Sequence, residues 1–155
     1  MKRKKKSIRI PIRTKFKKLQ KGRLQAIERK KTATSLYYGI YGLKILKYSR
    51  IDSRQLEAAR RLISRDLRKH EFLWIRVLPD IPVTAKPNEI RMGKGKGAVN
   101  YWIARLKSGQ TLFELTCMLP KKAYKILMAA AKKLPVPCAF LYDKKKIISK
   151  KDVWA

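Results

Sequence analysis

Apolar positions along this chain recur with two different periods, and the change of period marks its elements. From Asp52 onward, Leu56, Ala59, Ile63 and Leu67 return at helical spacing and share one face, while Arg54, Arg61, Arg65 and Arg68 lie elsewhere on the cylinder. Asp52 or Ser53 opens that helix, and Gln55, three residues after Asp52, completes a possible capping box. A second helix is expected from Pro120, which suits a first turn because its missing N–H would be unsatisfied there anyway. Ala123, Leu127, Ala130 and Leu134 form its buried stripe, Lys121, Lys122, Lys125, Lys132 and Lys133 stay outside, and Pro135 and Pro137 stop it.

The period shortens to two in Phe72 to Leu78, where Leu73, Ile75 and Val77 share a face. Residues 36 to 46, rich in aromatic and branched side chains and broken by Gly39 and Gly42, read as short strands with a bend. Residues 100–106 and 111–115 read as strands flanking Lys107 to Gln110, which has the length and glycine of a hairpin turn, and Cys138 to Tyr142 reads as a last strand. Pro79, Pro82 and Pro87 are expected to hold an extended connector. These elements predict an α+β fold: a largely antiparallel sheet covered by two amphipathic helices, with a basic N-terminal extension. The expected division is a basic arm over 1–31, one α+β domain over 32–142 and a basic C-terminal extension over 143–155.

Charge then narrows the partner. The 155 residues hold 41 Lys and Arg against 10 Asp and Glu, a formal net charge of +31. A compact state of that charge repels itself and is best tolerated when a polyanion supplies counter-charge, and nucleic acid is the obvious one. A membrane surface is the other polyanion, but no segment approaches the roughly 20 apolar residues of a spanning helix. A peripheral membrane role would need a helix with an exposed apolar face, and both helices are needed for the core. Residues 1–31 carry 15 basic side chains and one acidic one, Glu28. Such a segment is expected to be disordered alone and to order by threading between phosphates through Arg13, Lys15, Lys17, Lys18, Lys21 and Arg23; the plainer reading is a solubilising tail or import signal. The helix arginines Arg54, Arg61 and Arg65 are further candidates for phosphate, since few carboxylates balance them.

The sharpest motif is Arg91-Met92-Gly93-Lys94-Gly95-Lys96-Gly97, where glycines allow close approach to the main chain while lysines neutralise phosphate. Taken literally, Gly93-x-Gly95-x-x-Ala98 with Glu114 downstream matches a relaxed dinucleotide fingerprint. That fingerprint needs a buried strand before the glycines and a helix after them, and here polar residues precede and a strand follows. A P-loop needs Ser or Thr directly after its lysine, and none is present. His70, the one histidine, has no Cys or His nearby and is expected to cap or pack. Cys117 and Cys138 lie far apart, so neither a zinc site nor any cofactor is expected, and a reducing compartment is the default. The basic N-terminus lacks the apolar core of a secretory signal and makes a poor transit peptide, so the expectation is either synthesis where the protein works or a presequence already removed. A free RNA-modifying enzyme is the competing class; it would require a pocket with perturbed titratable groups.

The ordered segments Arg13 to Arg23, Gly39 to Lys44, Arg54 to Arg61, Trp74 to Val77, Pro79 to Thr84 and Arg91 to Gly97 resemble the bacterial-type large-subunit ribosomal protein L-sixteen, whose archaeal and eukaryotic counterpart is L-ten-e. The resemblance covers roughly residues 11 to 142. It implies an α+β subunit without enzymatic activity, bound to large-subunit rRNA and beside neighbouring large-subunit proteins, near the seat of aminoacyl-tRNA and the peptidyl-transferase centre. Arg13 to Arg23 would be the arm entering rRNA, Arg91 to Gly97 the loop facing tRNA, and no homo-oligomer is implied. Extra residues before the arm, between Arg23 and Gly39, and beyond Tyr142 depart from the family, as does Thr116 to Leu119 in place of an acidic, glycine-containing turn. Residues 102–106 with 109–114 look most like mitochondrial members, and the abundance of Lys, Ile and Tyr suits an AT-rich organellar gene. The mitochondrial matrix is therefore the expected site, with plastid or bacterial cytoplasm as alternatives.

Overall fold

A computed structural model describes residues 10–11, 13–22 and 35–143. Seven strands and two helices follow in the order β1 (Tyr41–Ile45), β2 (Ser49–Asp52), α1 (Ser53–Asp66), β3 (Phe72–Ile75), β4 (Ile81–Ala85), β5 (Ala98–Leu106), β6 (Thr111–Thr116), α2 (Pro120–Ala131) and β7 (Cys138–Tyr142). The fold is α+β, but the strands form two antiparallel sheets instead of one: a four-stranded sheet ordered β3-β6-β1-β7 and a three-stranded sheet ordered β2-β5-β4.

Both helices begin where the side-chain chemistry dictates. Asp52 accepts from the Arg54 N–H at 3.1 Å, and Gln55 Oε1 accepts from the Asp52 N–H at 3.1 Å, so the capping box satisfies donors that the first turn leaves open. Pro120 opens α2 with no side-chain cap. Leu56, Ala59 and Ile63 of α1, and Ala123, Ile126, Leu127 and Ala130 of α2, enter one apolar core with Leu43 and Ile45 of β1, Ile51 of β2, Leu106 of β5 and Leu112, Phe113 and Leu115 of β6. The helices pack on each other, with α1 against β2 and β5, and α2 against β1 and β7.

Three expectations are corrected. The turn at Lys107 to Gln110 does not close a hairpin, because β5 and β6 belong to different sheets; the turn carries the chain from one sheet to the other. There Gly109, at φ +83°, donates its N–H to Ile45 O at 2.7 Å. The proline connector is in part a strand: β4 contains Pro82, paired opposite Trp102 of β5. It tolerates proline because β4 is an edge strand whose outer side has no ladder to complete. The segment 36–46 forms one strand preceded by a bend, and β2, a polar strand, joins the core through Ile51 alone.

Candidate nucleic-acid interface

Because β4 and β5 pair antiparallel, the residues between them form the tip of a hairpin, and that tip is the glycine-lysine segment. Gly93, Lys94 and Gly95 take φ of +97°, +52° and +77°, three consecutive residues with positive φ. A Cβ on Gly93 or Gly95 would meet open space, whereas one on Gly97 would meet the Ala85 carbonyl, 2.7 Å from its carbon. The glycines therefore do two jobs: Gly93 and Gly95 let the backbone curl, and Gly97 lets β5 pass tightly beside the end of β4. Lys86 Nζ donates to Gly93 O across the base of the curl, and Ile90 N–H donates to Pro87 O at 3.2 Å. Arg91 to Lys96 are exposed, Met92 almost completely, at 97%.

The arm lies against this tip. Lys18 Nζ donates to Lys96 O at 2.6 Å, and Lys96 Nζ donates back to Leu19 O at 2.8 Å. Arg50 of β2 donates from Nη2 to Lys21 O at 3.2 Å and to Gly22 O, holding the arm across the three-stranded sheet. Gly22, at φ +70°, turns there beside Arg105. Arg13, Lys15, Lys17, Lys18 and Lys21 are exposed, and Lys15 sits 5.6 Å from the centre of the Phe16 ring. Arg23 lies outside the described residues. Two basic segments more than seventy residues apart thus become one face. Among the described residues no arm or loop cation has an ion pair. The ammonium groups of Lys18 and Lys96 are oriented by carbonyl oxygens, which leave the positive charge uncompensated and donors available to an external anion.

The helix arginines separate from this face. Arg61 Nε donates to Glu57 at 3.0 Å and Arg65 Nε to Asp66 at 3.2 Å, so carboxylates do balance them, contrary to the expectation from sequence. Their side chains are about three-quarters exposed, and such surface pairs contribute little and exchange readily for a stronger anion. Arg54 is exposed at the first turn of α1. No hydrogen bond among the described residues joins these three side chains to the arm or loop. Arg60, which the helical pattern does not distinguish, is buried and forks onto Glu57 at 2.7 and 2.8 Å; that hydrogen bond raises its pKa against the opposing effect of burial.

Two carboxylates carry roles that no motif announces. Glu114 is fully buried and accepts the N–H groups of Tyr37, Tyr38 and Gly39 at 3.1, 2.7 and 2.9 Å, together with the Arg76 guanidinium. Burial alone would raise its pKa, but these donors outweigh burial and lower it. Its oxygens are occupied by the fold, which removes the ribose-binding acid of a dinucleotide site. Glu71 accepts from Lys122 Nζ at 2.7 Å, Cys117 Sγ at 3.0 Å and Arg68 N–H at 2.7 Å; burial opposes its ionisation, yet these partners bring its pKa to about 2. His70 is exposed beyond Leu67, which is the C-cap of α1, so the capping or packing role expected of it is not what it does. Among the described residues no group of His, Cys, Asp and Glu could hold a metal ion, and no helix is long and apolar enough to cross a membrane.

Comparison with known proteins identifies relatives of the chain. A family model described as ribosomal protein L16p/L10e matches residues 11–141. The chain is similar to proteins named large ribosomal subunit protein uL16: that of Bartonella bacilliformis is 48% identical over 131 residues, covering 84% of this chain and 94% of the relative. Those of Xanthobacter autotrophicus and Gluconacetobacter diazotrophicus are 47% and 44% identical over the same coverage.

Proposed function

The chain belongs to the ribosomal protein L16p/L10e family, and on that premise we propose that its joined arm and hairpin tip form the face that binds large-subunit rRNA, with the tip reaching toward tRNA near the peptidyl-transferase centre. The protein is a structural constituent of the large ribosomal subunit and not an enzyme. The bonds from Lys18 Nζ to Lys96 O and from Lys96 Nζ to Leu19 O carry the reading, because they merge two cationic segments into one surface without spending a carboxylate on either. Backbone phosphates supply the missing negative charge, and each one neutralised releases condensed counterions. Gly93 and Gly95 leave the main chain of the tip open, so RNA can approach its N–H groups where a side chain would intervene. Arg54, Arg61 and Arg65 add a second line of phosphate contacts along α1, and neighbouring large-subunit proteins adjoin the body.

The residue usage, rich in Lys, Ile and Tyr, and the likeness of 102–106 and 109–114 to mitochondrial members support a mitochondrial ribosome as the home of this chain. The bacterial relatives support a bacterial ribosome as the other assignment. Ribosomes prepared from organelle and cytoplasmic fractions decide between them, and recovery of the chain only in a bacterial cytoplasm refutes the first. In the same particles, Lys94→Glu is expected to leave assembly intact, since the Lys94 side chain makes no hydrogen bond or ion pair among the described residues. It is expected to weaken binding of tRNA to the aminoacyl site about tenfold or more, the scale of one lost charge-assisted contact. Unchanged tRNA affinity in ribosomes that fully incorporate the variant removes the tip from the tRNA path.

A further inference from the structure

We infer that the outer face of the four-stranded sheet carries a second RNA site, a platform on which an unpaired nucleobase stacks. The inference takes its RNA partner from the ribosomal reading above but uses none of the arm or tip residues. Along β3, Leu73 and Ile75 pack on the core, so the alternating residues Phe72, Trp74 and Arg76 stand on the opposite face. There the rings form a row. Phe72 and Trp74 have centroids 6.0 Å apart, Trp74 and Tyr38 are stacked at 6.1 Å, and Arg76 lies over Tyr38 at 5.5 Å and over Tyr37 at 4.7 Å. Phe72 is 51% exposed and Tyr38 63%. Side by side they form one contiguous aromatic patch instead of scattered exposed residues, the arrangement that marks an interaction surface.

The row is also rigid. Glu114 pins the backbone of Tyr37, Tyr38 and Gly39 and holds Arg76 at the same time, so the platform is ordered before any ligand arrives. A ring sandwiched between two others needs about 7 Å between them, twice the contact distance of roughly 3.5 Å between carbon atoms. The gaps of 6.0 and 6.1 Å are too narrow, so a base stacks on the outside of the row, on Tyr38 or on Phe72. The charge beside the row selects the partner: Arg68 and Lys69, just before β3, are exposed, while Glu71 and Glu114 are buried and already bonded. An acidic protein segment has no base to stack, and an apolar one meets uncompensated cations; single-stranded RNA satisfies both features.

Full-length protein is titrated with a short oligouridylate carrying one 2-aminopurine, at salt high enough to screen the lysine contacts. Stacking is read as quenching of that base. Tyr38→Leu and Phe72→Leu keep apolar surface but remove the ring; at least one is expected to weaken binding about 5- to 100-fold, the range for loss of one base stack, with unchanged thermal midpoint. Equal affinity and quenching for wild type and both folded variants overturn the platform. In assembled large subunits, a benzophenone side chain placed at position 72 is expected to crosslink to an rRNA nucleotide. Crosslinking to a protein neighbour instead overturns the proposal while leaving the ribosomal reading intact, and failure of the wild-type chain to enter large subunits refutes that reading without touching the oligonucleotide result.

Discussion

Replacing Glu114 with glutamine changes one atom of a fully buried side chain, and it is expected to destabilise the protein by about 3–5 kcal/mol, the range for breaking a buried, hydrogen-bonded ion pair. The size follows from the donors. Three backbone N–H groups and the Arg76 guanidinium converge on the two carboxylate oxygens, and 22% exposure of Arg76 lets water recover only part of what the guanidinium loses. An amide keeps one acceptor oxygen and turns the other position into a donor aimed at a donor. The volume is conserved, so no cavity contributes and the loss reads the electrostatics directly. Urea denaturation of the full chain at fixed salt measures it. A second variant, Arg76→Met, sharpens the test: with the guanidinium gone, Glu114→Gln should cost less than in the wild type but still more than about 1 kcal/mol, because the three N–H groups remain. A cost below that in both backgrounds refutes the claim that this carboxylate organises residues 37–39.

Glu71 adds a pH dependence whose sign is fixed by its depressed pKa of about 2: the contribution is complete above the ordinary carboxylate value near 4.5 and is lost as pH falls toward 2. Thermal midpoints measured between pH 5 and 2 should therefore fall less steeply in Glu71→Gln than in the wild type, and parallel curves contradict the assignment. Gly97→Ala and Gly93→Ala should part company. The first drives a Cβ against the Ala85 carbonyl and should loosen the base of the β4–β5 hairpin, seen as faster amide exchange along both strands, at about 1–3 kcal/mol. The second meets no atom and should disturb only the tip, so equal exchange patterns in the two variants defeat the distinction.

Elements whose cause is local were legible in the sequence. The Asp52 and Gln55 capping box, Pro120 at the head of α2, and the stripes Leu56, Ala59, Ile63 and Ala123, Leu127, Ala130 appear where their spacing places them, although both helices end earlier than the stripes predict, leaving Leu67 as the C-cap of α1 and Leu134 beyond α2. What escaped depends on partners far along the chain. Pro82 argues against a strand until β4 is known to be an edge, and the Lys107 to Gln110 turn has the composition of a hairpin but serves as a corner between sheets. The arm and the loop each stand out in the sequence as basic segments, yet nothing in a lysine codon tells which distant carbonyl its ammonium will meet. Glu114 drew notice only as a cofactor acid, because a carboxylate's donors, here 38 to 77 residues away, leave no mark in local pattern. The arginines of α1 show the converse error: a face looks unbalanced when carboxylates are counted by region, and Glu57 balances two arginines from within the same turn.

The strand that carries the hairpin tip also determines how that tip yields to force. β5 is the central strand of its sheet, paired with β4 from Ala98 to Ile103 and with β2 from Ile103 to Leu106, and at its far end it turns the corner into β6, an interior strand of the other sheet. It is a beam clamped along its length and anchored in both layers of the body. Flexure must then concentrate beyond Gly97, where strand pairing ends and three residues of positive φ begin. A load on Met92 therefore falls first on the few residues between the end of β4 and Lys96, where the arm meets the tip, before it reaches the paired strand.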